Sequence, residues 1–255
     1  MNKSRREDDP GSAVVVWMAR LPALADSLAT LHLLLDAGER ERALRFRFPE
    51  DRARFVAGRG LLRLAVRRYA PHVPAAFEIS YTSLGRPMLP GDYEVPNFSI
   101  SHTRELVALA FAANSHTGID VEYTKSIPDI PGLAERILSE EDFREFQALP
   151  EREKQLAFFR VWTRKEAYLK ARGEGIATGL RDISVSFSPE PTSRLTDPRE
   201  VSASAWRVHT MPVPVDYAGA VACDDPTREV RYFAARVANG TARIEAWPPR
   251  AMDLL

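Results

Sequence analysis

The sequence is poor in cysteine and in long apolar runs and has no net charge, and each shortage removes a class of explanation. One cysteine, Cys223, in 255 residues forms no intramolecular disulfide. With five scattered histidines it also builds no Cys/His zinc site, so a reducing cytoplasm is the expected compartment. The longest stretch without Asp, Glu, Lys or Arg covers 14 residues, Leu106 to Ile119, against the roughly 20 apolar residues of a membrane-spanning helix. The apolar run from Ala13 to Ala19 lies between Pro10 and Arg20 and is too short for a secretory signal. Thirty-five basic side chains balance 35 acidic ones, so no whole-molecule field draws the chain to nucleic acid or to an anionic membrane. The Walker loop, the dinucleotide-binding glycine pattern and the nucleophile elbow are all missing.

What is present reads as a folded protein with a repeated order of elements. An apolar strand at Val14 to Ala19 precedes an amphipathic helix around Ala53 to Tyr69, then alternating strands at Phe77 to Thr82, Asn97 to His102 and Glu105 to Ala112. A strand at Gly118 to Tyr123, a helix around Lys154 to Arg172 and strands at Ile183 to Phe187, Trp206 to His209 and Tyr217 to Ala222 repeat the series. Matching elements begin 104 to 109 residues apart. The expectation is an α+β protein of two similar lobes, residues 1–115 and 116–255, the second carrying the carboxylates described next.

In Thr117-Gly118-Ile119-Asp120-Val121-Glu122 a strand projects both carboxylates from one face, ~7 Å apart, while Ile119 and Val121 point the other way. A third carboxylate, Glu166, lies in a helical segment with Lys170 one turn later. Three hard oxygen donors suit Mg²⁺. Taken separately, the first pair is equally a solvated strand edge and the second a surface ion pair. From Arg40 to Arg68 ten arginines face three acids, Glu41, Glu50 and Asp51, which describes a phosphate clamp or a solvated helix face. Gly85-Arg86-Pro87 adds a cation on a stiff turn, and Ser101-His102 ends a buried strand.

The combination of Gly118-Ile119-Asp120-Val121-Glu122 with Trp162-Thr163-Arg164-Lys165-Glu166-Ala167 and Lys170 resembles the surfactin-type 4'-phosphopantetheinyl transferases. Gly85-Arg86-Pro87 and Ser101-His102 are similar to family motifs in the same order. The resemblance implies two α+β lobes related by a pseudo-twofold, with coenzyme A in a cleft between them. It implies transfer of the phosphopantetheine arm to a serine of an acyl, peptidyl or aryl carrier protein, with release of 3',5'-adenosine bisphosphate. By position, Asp120, Glu122 and Glu166 are the implied ligands of magnesium, with manganese as a substitute. Arg42, Arg86, Ser101, His102 and Lys170 are the implied coenzyme A contacts, and Glu166 and Lys170 the implied catalytic pair. Arg164 and Lys165 need not enter the site. Phe55 and Ser99 stand where the family often has Thr and Asn, which bears on adenosine binding.

A cytoplasmic monomer serving polyketide or nonribosomal peptide assembly is expected, without nucleic acid or membrane. A carrier-docking rim is expected just after Glu122, at Lys125, Ile127, Ile130 and Leu133, stiffened by Pro128 and Pro131; the alternative is that the isoleucines are core and Lys125 is solvated. Two competing readings are a basic module that binds nucleic acid through the arginine-rich segment and a different magnesium-dependent transfer from a nucleotide-like donor.

Overall fold

The structure is a computed structural model describing residues 6–83, 85–89, 93–124, 127, 129–175, 179–200 and 205–247. The chain opens with β1 (Ala13–Arg20), whose Val-rich run is buried on both faces. Four helices follow: α1 (Leu21–Leu24), α2 (Leu28–Leu34), α3 (Ala37–Leu44) and α4 (Pro49–Tyr69). A capping box starts α3, Asp36 accepting from the Glu39 backbone while Glu39 accepts from that of Asp36. Proline at the first turn starts α4, with Glu50 and Asp51 beside it and Arg67 and Arg68 in the last turn, charges that suit the helix dipole at both ends. Then come β2 (Ser80–Tyr81), β3 (Pro87–Met88), β4 (Asn97–Thr103) and β5 (Leu106–Ala112).

The second series begins with β6 (Thr117–Tyr123), continues through α5 (Ile130–Ile137), α6 (Glu140–Ala148) and α7 (Glu151–Arg172), and then forms β7 (Ser184–Val185) and β8 (Thr192–Ser193). It ends in β9 (Leu195–Thr196), β10 (Arg207–Thr210) and β11 (Tyr217–Cys223), after which β12 (Glu229–Ala238) and β13 (Thr241–Ala246) complete the described chain. Glycine in the left-handed region stops α7, with Gly173 at φ 73° donating to the carbonyls of Leu169 and Lys170.

Two compact units result, one built from the chain up to Asn114 together with residues from Glu229 onward, the other from Ser115 to Arg228. The first holds a sheet of order β13-β12-β1-β5-β4, the second a sheet of order β6-β11-β10-β8. In each, the opening strand pairs antiparallel with the second strand of a later antiparallel pair. The long helix, α4 or α7, packs on the strands of its own unit. The repeated order of elements therefore reflects repeated topology.

The expected second lobe of residues 116–255 needs correction at its end. β12 returns to the first sheet and runs parallel to β1, from Ala13 opposite Glu229 to Met18 opposite Ala234. β13 folds back on it through Asn239 and Gly240, at φ 51° and 70°, the Asn-Gly signature of a tight hairpin. That hairpin was legible in the sequence. Its parallel partner more than 200 residues away was not.

Candidate active site

Gly118, Asp120 and Glu122 alternate along β6 and face α7. Their cross-strand partners on β11 are Ala222, Ala220 and Ala218, so small residues floor the contact and the helix can lie close. A Cβ at residue 118 would stand 2.1 Å from the carbonyl oxygen of Ala167 and 2.4 Å from the nitrogen of Ala171. Both are backbone atoms that no rotamer change can move, so only glycine fits there. Glu166 and Lys170, one turn apart on α7, share a helix face. Lys170 Nζ donates to Asp120 Oδ1 at 2.6 Å.

The electrostatics of this pair of elements are unbalanced. Asp120 is 3% exposed and Glu166 4%. Burial, opposed by Lys170 and reinforced by the negative charges of Asp120 and Glu122, pushes the Glu166 carboxyl up to about 7. Glu166 Oε1 is buried with no hydrogen-bond partner among the described residues. Such an atom is costly unless a cation or donor meets it. Among the described residues no three or more His, Cys, Asp or Glu side chains form a cage that could hold a metal ion. A divalent ion of the magnesium type needs no such cage, since it keeps several waters and completes its shell with substrate phosphates. The excess negative charge, the orphaned Oε1 and an all-oxygen donor set fit an ion of that kind.

Arg164 and Lys165 turn away from this face, as expected, and hold α7 in place. The Arg164 guanidinium donates to the carbonyls of Ser186, of Ser188 at 2.8 Å and of Glu190 at 3.2 Å, and to Thr210 Oγ1 at 2.7 Å. Lys165 Nζ donates at 2.9 Å to the carbonyls of Ile137 and Leu180 and lies 3.6 Å from Asp142. Burial lowers the first to about 10, the like charge of Arg160 adding to it, and the second to about 8 against the pull of Asp142. Nothing in sequence spacing announced that these cations serve backbone carbonyls.

The other residues expected to contact the ligand, Arg42, Arg86, Ser101 and His102, lie in the first unit. The exposed Arg42 guanidinium lies 5.3 Å from the Phe55 ring centroid and 5.4 Å from that of Tyr81. The buried Arg59 shares the same two rings at 5.5 and 5.3 Å. Its helix position reads simply as one more cation in a run of them. Arg86 donates to the Phe98 carbonyl at 3.3 Å, and burial lowers its pKa. Ser101 is buried and His102 exposed on adjacent positions of β4. Strand alternation sends the two side chains to opposite faces. His102 takes the face of Ile100, where α4 passes so near that a Cβ at Gly58 would lie 3.6 Å from Ile100 Cγ2 and 3.9 Å from His102 Cδ2. The two side chains therefore do not converge.

The expected docking rim is corrected in part. Ile130 is buried in the core of the second unit, and Ile127 and Leu133 pack against that core. Pro131 sits in the first turn of α5, where Asp129 caps the helix. Lys125 and Pro128 lie outside the described residues. An isolated isoleucine pattern reads alike for a helix core face and an exposed loop, and here the core reading holds.

Comparison with known proteins places these observations. A family model described as the 4'-phosphopantetheinyl transferase superfamily matches residues 116–222, and one described as 4'-phosphopantetheinyl transferase, N-terminal, matches residues 21–114. The chain is 37% identical over 196 residues to the 4'-phosphopantetheinyl transferase HetI of Nostoc sp., covering 76% of this chain and 80% of the relative. It is 31% identical over 147 residues to the 4'-phosphopantetheinyl transferase Sfp of Bacillus subtilis, covering 58% and 64%. Similarity extends to the human L-aminoadipate-semialdehyde dehydrogenase-phosphopantetheinyl transferase, 28% identical over 179 residues, covering 66% and 58%.

Proposed function

The chain belongs to the 4'-phosphopantetheinyl transferase superfamily, and we propose on that premise that it transfers the 4'-phosphopantetheine arm of coenzyme A to a serine of an acyl, peptidyl or aryl carrier protein. The serine oxygen attacks the phosphorus that bears the pantetheine arm. The bond from that phosphorus to the bridging pyrophosphate oxygen breaks, and 3',5'-adenosine bisphosphate leaves with the bond electrons. The observation that carries the reading is the face-to-face placement of Asp120 and Glu122 on β6 with Glu166 and Lys170 on α7.

Asp120, Glu122 and Glu166 would hold magnesium or manganese, which supplies neutralisation of charge on the phosphoryl oxygens. Lys170, already held by Asp120, offers its ammonium to the charge that grows on the departing bisphosphate. Glu166 receives the serine proton, directly or through an intervening water. Its buried, unpartnered oxygen supports that role, and it competes with metal binding because a ligating carboxylate is a weaker base. Arg42, Arg86 and His102 are the proposed coenzyme A contacts, with Ser101 beside His102 on β4. Cationic groups at 42 and 86 suit its phosphates.

The reading includes a cytoplasmic monomer. The single thiol supports a reducing compartment, and no helix among the described residues is long and apolar enough to cross a membrane. Incubating the protein with coenzyme A, Mg²⁺ and a panel of apo carrier domains tests the activity, with intact-protein mass spectrometry reading the added arm. Conversion of a carrier to its holo form, lost in Asp120→Ala and on chelation, is the expected result. Failure on every carrier beside a working transferase would remove the reading. Binding of ATP or NAD in preference to coenzyme A would favour another transfer.

A further inference from the structure

Phe55, Arg59 and Arg63 form a stripe along α4, each about one turn from the next. At its first two positions the stripe meets α3 and β2, since Arg42 and Arg59 lie over the same two rings, Phe55 and Tyr81. At its third position the buried Arg63 side chain reaches the same two elements by hydrogen bonds. Nε donates to Glu39 Oε2 at 2.8 Å and Nη2 to Asp36 Oδ2 at 2.6 Å, both at the start of α3. Nη1 donates at 2.9 Å to the carbonyl of Phe77, in the segment that leads into β2, and the guanidinium lies 4.5 Å from the Phe77 ring centroid. We infer that Arg63 is a positioning residue, which sets α3 and the β2–β3 hairpin on α4 so that Arg42 and Arg86 meet the phosphates of coenzyme A. For that ligand the inference rests on the transferase reading.

Both elements need such a tie. α3 has 8 residues, and a helix of that length is marginal by itself. β2 and β3 have 2 residues each and pair only Ser80 with Met88 and Tyr81 with Pro87, too little for a sheet that holds its own place. Arg86 moves with β2, because the Thr82 N–H donates to the Arg86 carbonyl at 2.9 Å and the Arg86 N–H to Thr82 Oγ1 at 3.1 Å. Apolar contacts through Ala43 and Ile79 hold the two segments against the core, but burial of apolar surface is non-directional. A planar fork with three acceptors fixes rotation as well as distance. Those acceptors belong to α3's first turn and cap and to the segment before β2, and none to the five-stranded sheet behind α4. Glu39 extends the tie, since its Oε1 lies 3.9 Å from Arg59 Nε and so links the fork to the cation that shares its rings with Arg42.

The test compares the full-length protein with Arg63→Lys, which keeps the charge and loses the fork, and with Asp36→Asn, which keeps the helix cap and weakens one arm of the fork. Circular dichroism and thermal melting first establish the temperatures at which each is folded, and Asp36→Asn carries the test alone if Arg63→Lys does not fold. Coenzyme A is titrated by calorimetry, which needs no turnover, and transfer to an apo acyl carrier domain is then assayed over a range of coenzyme A and carrier concentrations. Below the melting range the Kd and KM for coenzyme A should rise about tenfold in Arg63→Lys and about threefold in Asp36→Asn, with the KM for the carrier domain unchanged. Wild-type Kd and KM for coenzyme A in the folded variants would overturn the inference and leave the transferase reading intact. An apparent kcat that falls with the folded fraction while the KM for coenzyme A stays constant would overturn it too, since that is the mark of a purely structural role. A native protein that neither binds coenzyme A nor modifies a carrier would remove the transferase reading itself, and this inference with it.

Discussion

The two long helices occupy corresponding places in the repeated topology and treat their buried cations in opposite ways. On α4, Arg63 is 2% exposed and meets acids, donating to Glu39 Oε2 at 2.8 Å, to Asp36 Oδ2 at 2.6 Å and to the Phe77 carbonyl at 2.9 Å. On α7, Arg164 and Lys165 meet mostly backbone carbonyls, and the buried carboxylate Glu166 is left facing Asp120 and Glu122. The first arrangement cancels charge inside the unit. The second leaves net negative charge where β6 and α7 meet, which suits the cation proposed there.

Breaking the α4 arrangement should have the largest effect on stability. Arg63→Met leaves Glu39 buried without its main partner, and the expected loss is about 3–5 kcal/mol, read by urea unfolding. A loss under about 1 kcal/mol would show that the network is not structural.

The α7 arrangement should instead reveal itself through pH. The folded Glu166 carboxyl titrates near 7 against 4.5 for an unperturbed glutamate, so the folded chain holds a proton that the unfolded chain has released. Stability then falls as pH rises from about 4.5 to about 7, by on the order of 3 kcal/mol. Unfolding measured from pH 4.5 to 8 in a chelator should show this slope, and Glu166→Gln should flatten it. An equal slope in both proteins would place the titrating group elsewhere. Added Mg²⁺ should reduce the slope in the native sequence.

Close approaches between helix and strand inside each unit differ as well, and two alanine substitutions separate them. Gly118→Ala drives a Cβ into the α7 backbone and should cost about 1–3 kcal/mol. It should also lower transfer activity, because β6 must move away from Lys170. Gly58→Ala meets nothing nearer than 3.6 Å and removes a helix-interior glycine, so it should stabilise by about 0.5–1 kcal/mol. Thermal melts of both variants would sharpen the contrast, and destabilisation by Gly58→Ala would show that α4 needs its glycine for packing against β4.

Much of the site was legible because it is local. Asp120 and Glu122 share a face through the two-residue period of a strand, and Glu166 and Lys170 share one through the helical turn, so each half of the carboxylate cluster is written within a few residues. Adjacency in the chain says less elsewhere. Ser101 and His102 are neighbours in the chain and face opposite sides of β4, and Ile130 follows a strand end yet enters the core.

The sequence by itself determined the two long helices, the strands around them, their repeated order and the residue types of an oxygen-donor site, since these depend on backbone periodicity and side-chain chemistry over short range. Tertiary structure alone decided which strands share a sheet, why residue 118 must be glycine and where Arg164 and Lys165 direct their charges. Each of those depends on partners tens to hundreds of residues away, brought together only when apolar faces are buried and every enclosed polar group must find an acceptor or a donor.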